Sequence, residues 1–311
     1  MNEELNITGI ENELVDENIE IINRFNPIIN KKIAISVSIN KDLENLGLSE
    51  HHLNDISIEI ARYIIANGGT AIYGGDLRVN GFTNYFSELA NQYKKSDDPS
   101  IRFINYFALP YSKQIDRKAE IDFKSKQIGI EIVKPNPNIA FDKEFEYKPL
   151  KKVKDRYIFC ECFKAMREKM AIDCNARIIV GGKITGYLGF MPGIIEEALY
   201  TLINSKPLFI VGGFGGASQS LAKLFEGHNP EELTNEYQYS TPFLQDFKKY
   251  ISDKYEFSEY SKIISTFTDF SIEKLSLTNK LSIDENRVLF SSTNIHEITY
   301  LIMKGLKKSS F

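Results

Sequence analysis

Apolar positions along the chain change their spacing several times, and each change marks an element. After Lys32, the residues Ile33, Ala34, Ile35, Ser36 and Val37 form a β-rich run without helical period, which suits a strand covered on both faces. From Ser49 the spacing becomes three and four, with Leu53, Ile56, Ile60, Ile64 and Ile65 on one stripe, so a helix is predicted. Asn67, Gly68 and Gly69 end it in the manner of a left-handed cap. A short strand over 70–73 then runs into Gly74, Gly75, Asp76, Leu77 and Arg78, and Gly81, Phe82 and Thr83 lead into a second helix over 84–93.

The same alternation continues. Strands are predicted over 103–109, 176–181 and 207–212, and helices over 155–171, 192–204 and 218–225. Strand and helix in turn, with glycine loops between them, predict an α/β fold: a Rossmann-like parallel sheet with crossover helices. Between 111 and 149 the chain is charged and irregular, with Lys134, Pro135, Asn136, Pro137 and Asn138 as a strong breaker, so an insertion or a weak hairpin is expected. Three units follow: a lead-in over 1–31, a Rossmann-like α/β domain over 32–226, and a mostly helical C-terminal appendage over 227–311 with amphipathic stretches at 243–250 and 295–306.

Composition narrows the function. With 42% hydrophobic and 26% charged residues the chain has enough apolar surface to fold. A formal net charge of −4 gives no general attraction to a polyanion, so nucleic acid is not the expected partner. The acidic start lacks the features of a secretory signal, and no run approaches the roughly 20 apolar residues needed to span a bilayer. A cytoplasmic protein without a membrane partner is therefore expected. Cys160 and Cys162 would point about 200° apart on a helix, and with Cys174 they read as small buried hydrophobes. No metal and no cofactor are expected.

The candidate chemistry lies in three glycine loops, over 74–81, 181–193 and 212–216, each after a predicted strand. In a doubly wound sheet such loops meet at the carboxyl ends of the strands, where backbone N–H groups and helix N-termini can hold a phosphate. Gly74, Gly75, Gly81, Gly182, Gly193, Gly213 and Gly215 are candidates for close backbone approach, although each can also simply turn the chain. Arg78 and Thr83 can add hydrogen bonds to phosphate. Asp76 can accept ribose hydroxyls or cap its own loop, and Ser36 and Ser38 can meet sugar or phosphate. A second constellation joins Arg167 on a helix to Glu196 and Glu197 beyond Pro192 and Gly193. A carboxylate and an arginine beside a ribose could support N-glycosidic cleavage, whereas from spacing alone the glutamates more readily complement the helix dipole.

These residues resemble the SLOG superfamily. The run Tyr73-Gly74-Gly75-Asp76-Leu77-Arg78 with Gly81-Phe82-Thr83, the pair Met166-Arg167, and Gly186 through Glu197 carry the similarity, over about residues 32–225. The superfamily includes the cytokinin-activating LOG phosphoribohydrolases and sensor domains of bacterial antiphage systems such as Thoeris. Gly193 matches the last glycine of the LOG motif P-G-G-x-G-T-x-x-E, Glu197 matches its glutamate, and Arg167 looks like its arginine. Ile194 stands where that motif has threonine, and the resemblance is nearer to the antiphage branch. It implies a sensor or effector in bacterial defence that binds a nucleotide or an NAD- or ADP-ribose-related signal, works as a homo-oligomer and has a partner defence protein. The alternative it implies is a nucleotide N-glycosidase, a hydrolase using Arg167 and Glu196 or Glu197.

Overall fold

The computed structural model describes residues 28–75, 77–78, 80–96, 98–109, 115–139 and 152–309. The predicted lead-in lies mostly outside them. In chain order the elements are β1 (Lys32–Ser38), α1 (Asp42–Asn45), α2 (Glu50–Ala66), β2 (Thr70–Gly74), α3 (Phe82–Gln92), β3 (Phe103–Ala108), α4 (Arg117–Ser125) and β4 (Gly129–Val133). Then come α5 (Val153–Asp173), β5 (Ala176–Gly181), α6 (Gly193–Ile203), β6 (Leu208–Val211) and α7 (Gly216–Phe225). The C-terminal region adds α8 (Asn235–Gln238), α9 (Pro242–Ile251), α10 (Tyr260–Phe270), α11 (Ile272–Asn279), α12 (Ile283–Ser291) and α13 (Ile295–Lys308).

Among the described residues the six strands form one sheet in the order β4-β3-β2-β1-β5-β6, and every neighbouring pair is parallel. The Rossmann-like α/β expectation holds. β1 lies at the centre, pairing Ile33 with Ala71 of β2 and with Ala176 of β5. Its side chains alternate: Ile33, Ile35 and Val37 join one core, and Ala34 joins another on the opposite face. Helix α2 turns Leu53, Ile56, Ile60 and Ile64 onto the first of these cores, as its spacing predicted, and each such burial is worth about 1.5–3 kcal/mol.

One stretch departs from the sequence expectation. Where an insertion or weak hairpin was expected, residues 117–133 form α4 and then β4, which pairs in parallel with β3, for example Phe107 with Ile132. The described part of this stretch is therefore a full crossover unit. Its signal is faint for a physical reason: α4 has nine residues and buries only Phe123, and β4 is an edge strand with no fully buried position.

The C-terminal region is helical, as predicted, and it packs on both sides of the sheet. Phe247, Tyr255 and Tyr260 share a core with α6 and α7. Leu289, Ile298, Ile302 and Leu306 join the core that contains α2. The edge strand β6 is covered as well: Gly212 N–H donates to the Leu289 carbonyl at 3.1 Å, and Asn279 Nδ2 donates to the Leu208 carbonyl at 3.0 Å. Such cover removes a free sheet edge. No helix among the described residues is long and apolar enough to cross a membrane.

Candidate functional site

The strand order reverses beside β1. From β1 the chain first builds outward through β2, β3 and β4, then returns to place β5 and β6 on the other side. The loops after β1 and β5 therefore run apart and leave a crevice at the carboxyl ends of these strands, the place where ligands bind in open α/β sheets. Ser38 and Gly181 are register partners at that end. Beyond them lies a crevice of about 1020 Å³, with Asn40, Lys41, Asp42 and His51 lining it from the β1 side, Lys183 and Ile184 from the β5 loop, and Tyr237 from α8.

Short-range polar contacts hold these loops. Gly182 N–H donates to the Ser38 carbonyl at 2.8 Å, and the Gly182 carbonyl accepts from Ala217 N–H at 3.0 Å. Lys183 N–H donates to Ser38 Oγ at 3.2 Å, and Asn40 Nδ2 donates to the Phe214 carbonyl at 3.0 Å. Gly182 has φ +103°, and an added methyl would also press on Ile194 and Ala217, so glycine is required there on both counts. At the start of α7, Gly216 N–H donates to Asp42 Oδ2 at 2.9 Å. A carboxylate of the chain thus already occupies a helix N-terminus, the position that suits an anion. Lys41 and Lys183 are exposed on the two facing loops, and neither ammonium has an ion pair among the described residues.

A second polar cluster lies under α5 and α6, away from solvent. Arg177 is fully buried on β5; its Nη1 donates to Glu197 Oε2 at 2.7 Å and to Ser36 Oγ at 2.6 Å, and its Nε donates to Thr201 Oγ1 at 2.7 Å. Ser36 in turn donates to Glu197 Oε2. Arg167 Nη1 donates to Glu196 Oε2, and its Nε lies 3.6 Å from Glu197 Oε1. The remaining oxygen of Glu196 accepts from Tyr255 Oη at 3.2 Å, and the Tyr255 ring stacks on Phe190 with centroids 3.9 Å apart. A methyl on Gly193 would stand 2.6 Å from Arg167 Nη2, so that glycine makes room for the guanidinium. Burial pushes Glu196 up from the ordinary carboxylate value, with Arg167 and Tyr255 opposing the shift. Burial alone would lower Arg167, and the Glu196 and Glu197 carboxylates outweigh it and hold the guanidinium protonated.

The predicted site residues are thus divided among several places. Arg167, Glu196 and Glu197 do come together, with Ser36 and Gly193, inside the buried cluster. Ser38, Gly182 and Gly215 border the crevice, and Gly215 abuts the side chain of Asp42. Arg78 and Thr83 line a separate crevice of about 510 Å³ with Ser87, Asp116 and Lys118. Thr83 Oγ1 accepts from Asn105 Nδ2 at 3.1 Å and packs over Gly75, while Gly81 caps α3. Gly74 faces Met166 and Met170. Gly213 faces the carbonyl of Ser292 in the C-terminal region. Asp76 lies outside the described residues. No group of three His, Cys, Asp or Glu side chains among the described residues is arranged to hold a metal ion.

Sequence reasoning missed Arg177, although an arginine inside an otherwise apolar strand is a signal that a buried partner must exist. It also missed Asn40, Asp42, Lys183, Tyr237 and Tyr255. The first three are ordinary loop residues, and the tyrosines reach their places from far along the chain.

Set against known proteins, the chain matches one family model, described as SLOG cluster2, over residues 27–289. No curated protein matches it.

Proposed function

Because the chain belongs to the SLOG cluster2 family, a group that points to nucleotide-related binding or glycosidase-like chemistry, we propose that it binds a nucleotide-derived ligand in the crevice between the ends of β1 and β5 and acts as a sensor. The observation that carries this reading is the pairing of an open crevice at the strand-order reversal with two ammonium groups, Lys41 and Lys183, that form no ion pair among the described residues. Backbone and side-chain groups there can meet ribose and phosphate, and Lys183 sits where a charge-assisted hydrogen bond to phosphate forms readily. An NAD- or ADP-ribose-related signal, self-association and a role in antiphage defence beside a partner protein are the finer parts of the same proposal.

The hydrolase alternative is less well supported. A general acid or base must reach the reacting atom at hydrogen-bond distance. Both oxygens of Glu196 and Oε2 of Glu197 already accept hydrogen bonds from Arg167, Tyr255, Arg177 or Ser36, and Glu197 Oε1 lies 3.6 Å from Arg167 Nε.

Calorimetry with AMP, ADP-ribose, NAD and ATP, together with chromatography for released base, tests the proposal. Expected are binding of at least one of these by the wild type, about ten-fold weaker binding by Lys183→Ala, and no free base. Absence of binding to all four would remove the sensor reading. Release of base by the wild type but not by Glu197→Gln would replace it with the hydrolase.

A further inference from the structure

Resting on that binding reading, we propose that Tyr237 is the platform on which the ligand's base stacks, so that the C-terminal region completes the site, and that the ligand is a nucleoside carrying one or two phosphates. Among the described residues that line the crevice, Tyr237 is the only Phe, Tyr or Trp side chain. It comes from α8, about fifty residues beyond the β5 loop, whereas the other lining residues belong to the loops after β1, β5 and β6 and to the start of α2.

The ring is half-buried and its backbone is held from several sides. Tyr237 N–H donates to Thr234 Oγ1 at 3.3 Å. The next residue, Gln238, is buried; its Nε2 donates to the Ile184 carbonyl at 3.1 Å and to the Glu232 carbonyl at 2.7 Å, and its Oε1 accepts from Tyr187 Oη at 2.9 Å. At the start of α8, Asn235 Oδ1 accepts from Tyr260 N–H at 3.1 Å. A platform fixed in this way loses little freedom when a ligand arrives, and an aromatic face stacks on any base. Ile184, Leu43 and Leu48 line the same crevice and supply apolar surface for a flat ring. Burial, then the carboxylates of Glu232 and Asp42, pushes the Tyr237 phenol up, so the ring stays neutral under ordinary conditions.

Charge sets the number of phosphates. Lys41 and Lys183 stand in the crevice with three carboxylates, Asp42, Glu44 and Glu50. Two ammoniums can meet one or two phosphates, while the added charge of a triphosphate would face the carboxylates. Carboxylates accept hydroxyl donors well, and a ribose offers them.

AMP and ribose 5-phosphate differ only by the base, so their affinities for wild type, Tyr237→Ala and Tyr237→Phe isolate the platform. The wild type is expected to prefer AMP by about ten-fold or more, Tyr237→Ala to lose most of that preference with ribose 5-phosphate held within about two-fold, and Tyr237→Phe to keep it. Fluorescence of an ethenoadenine analogue of AMP is expected to be quenched by the wild type and not by Tyr237→Ala. An unchanged preference in Tyr237→Ala, an equal loss for both ligands, or a wild type that does not distinguish them would overturn the platform while leaving the binding reading standing. ATP binding ten-fold tighter than AMP and ADP would overturn the phosphate count. A wild type that binds none of AMP, GMP, CMP, UMP and ribose 5-phosphate would overturn this proposal, and it would remove the binding reading as well only if ADP-ribose, NAD and ATP also fail to bind.

Discussion

The crevice at the ends of β1 and β5 and the cluster beneath α5 and α6 share the loop between β5 and α6, yet their polar groups are spent differently. In the crevice, Lys41 and Lys183 are exposed, and the backbone is held by hydrogen bonds among Ser38, Gly182 and Ala217. In the cluster, two arginines face two glutamates and Nη1 of each arginine donates to a glutamate, with Arg177 and Glu196 fully buried, while Arg167 Nε and Arg177 Nη2 are buried without a hydrogen-bond partner. Residue types alone do not separate a site from a core. What separates them is whether an outside partner can reach the charged groups: Lys41 and Lys183 are exposed, and the arginines and glutamates of the cluster are buried.

The sharpest way to break this division is Arg177→Met. Removing one partner of a buried ion pair leaves Glu197 with an uncompensated charge, and the expected loss of stability is about 3–5 kcal/mol. Denaturant unfolding reads it directly, and AMP affinity of the folded fraction is expected to stay unchanged. Adding Glu197→Gln to Arg177→Met is expected to restore part of the loss, because the stranded charge is then gone. An Arg177→Met protein as stable as the wild type would mean that the cluster is not a structural ion network.

This division also explains what the sequence could and could not reveal. Strands β2, β3, β5 and β6 are legible because apolar runs end at glycine or proline, β1 because its apolar run has no helical period, and α2 because its stripe repeats over several turns. β4 is not, since an edge strand with half-exposed side chains lacks a continuous apolar run. In the candidate site the glycines after β2, β5 and β6 are legible as punctuation, but their neighbours are not. Gly193 accommodates Arg167 and Gly213 accommodates the Ser292 carbonyl, whereas Gly182 and Gly215 adjoin the crevice that Gly186 and Gly216 line. A one-dimensional pattern records that a side chain would be excluded, not what excludes it. The contacts of Tyr237 and Tyr255 depend on how α8 and the segment before α10 fold back, which no local spacing encodes.

A pair of glycine substitutions sharpens the comparison at an intermediate scale. Gly193→Ala places its methyl 2.6 Å from Arg167 Nη2, and displacement of the guanidinium is expected to cost about 1–3 kcal/mol with AMP affinity retained. Gly182→Ala forces a methyl at φ +103° against Ile194 and Ala217, with a similar cost in stability, and here the crevice itself is distorted. Its AMP affinity is expected to fall by about ten-fold or more, an order-of-magnitude figure from the loss of about one charge-assisted contact. If both variants weaken AMP equally in calorimetry, the two regions are one site.

The smallest effect expected carries the opposite sign. Among the described residues, Asp42 both lines the crevice and caps a helix, through its bond to Gly216 N–H. In Asp42→Asn the side-chain oxygen can still accept that bond, so the cap survives, and the lost charge–dipole interaction costs only about 0.3–1 kcal/mol. A phosphate held nearby by Lys183 no longer meets a negative neighbour. At about 6 Å and an effective dielectric near 50, that repulsion is about 1 kcal/mol, which corresponds to about five-fold tighter binding of AMP. Raising the salt to about 1 M shortens the screening length to about 3 Å, so the gain is expected to shrink towards nothing. No comparable gain can come from the cluster, where neutralising Glu197 strands Arg177 instead. Tighter AMP binding by Asp42→Asn at low salt, fading at high salt, would place the phosphate beside the start of α7. Weaker binding at low salt would mean that Asp42 accepts a ligand hydroxyl and that the phosphate lies elsewhere in the crevice.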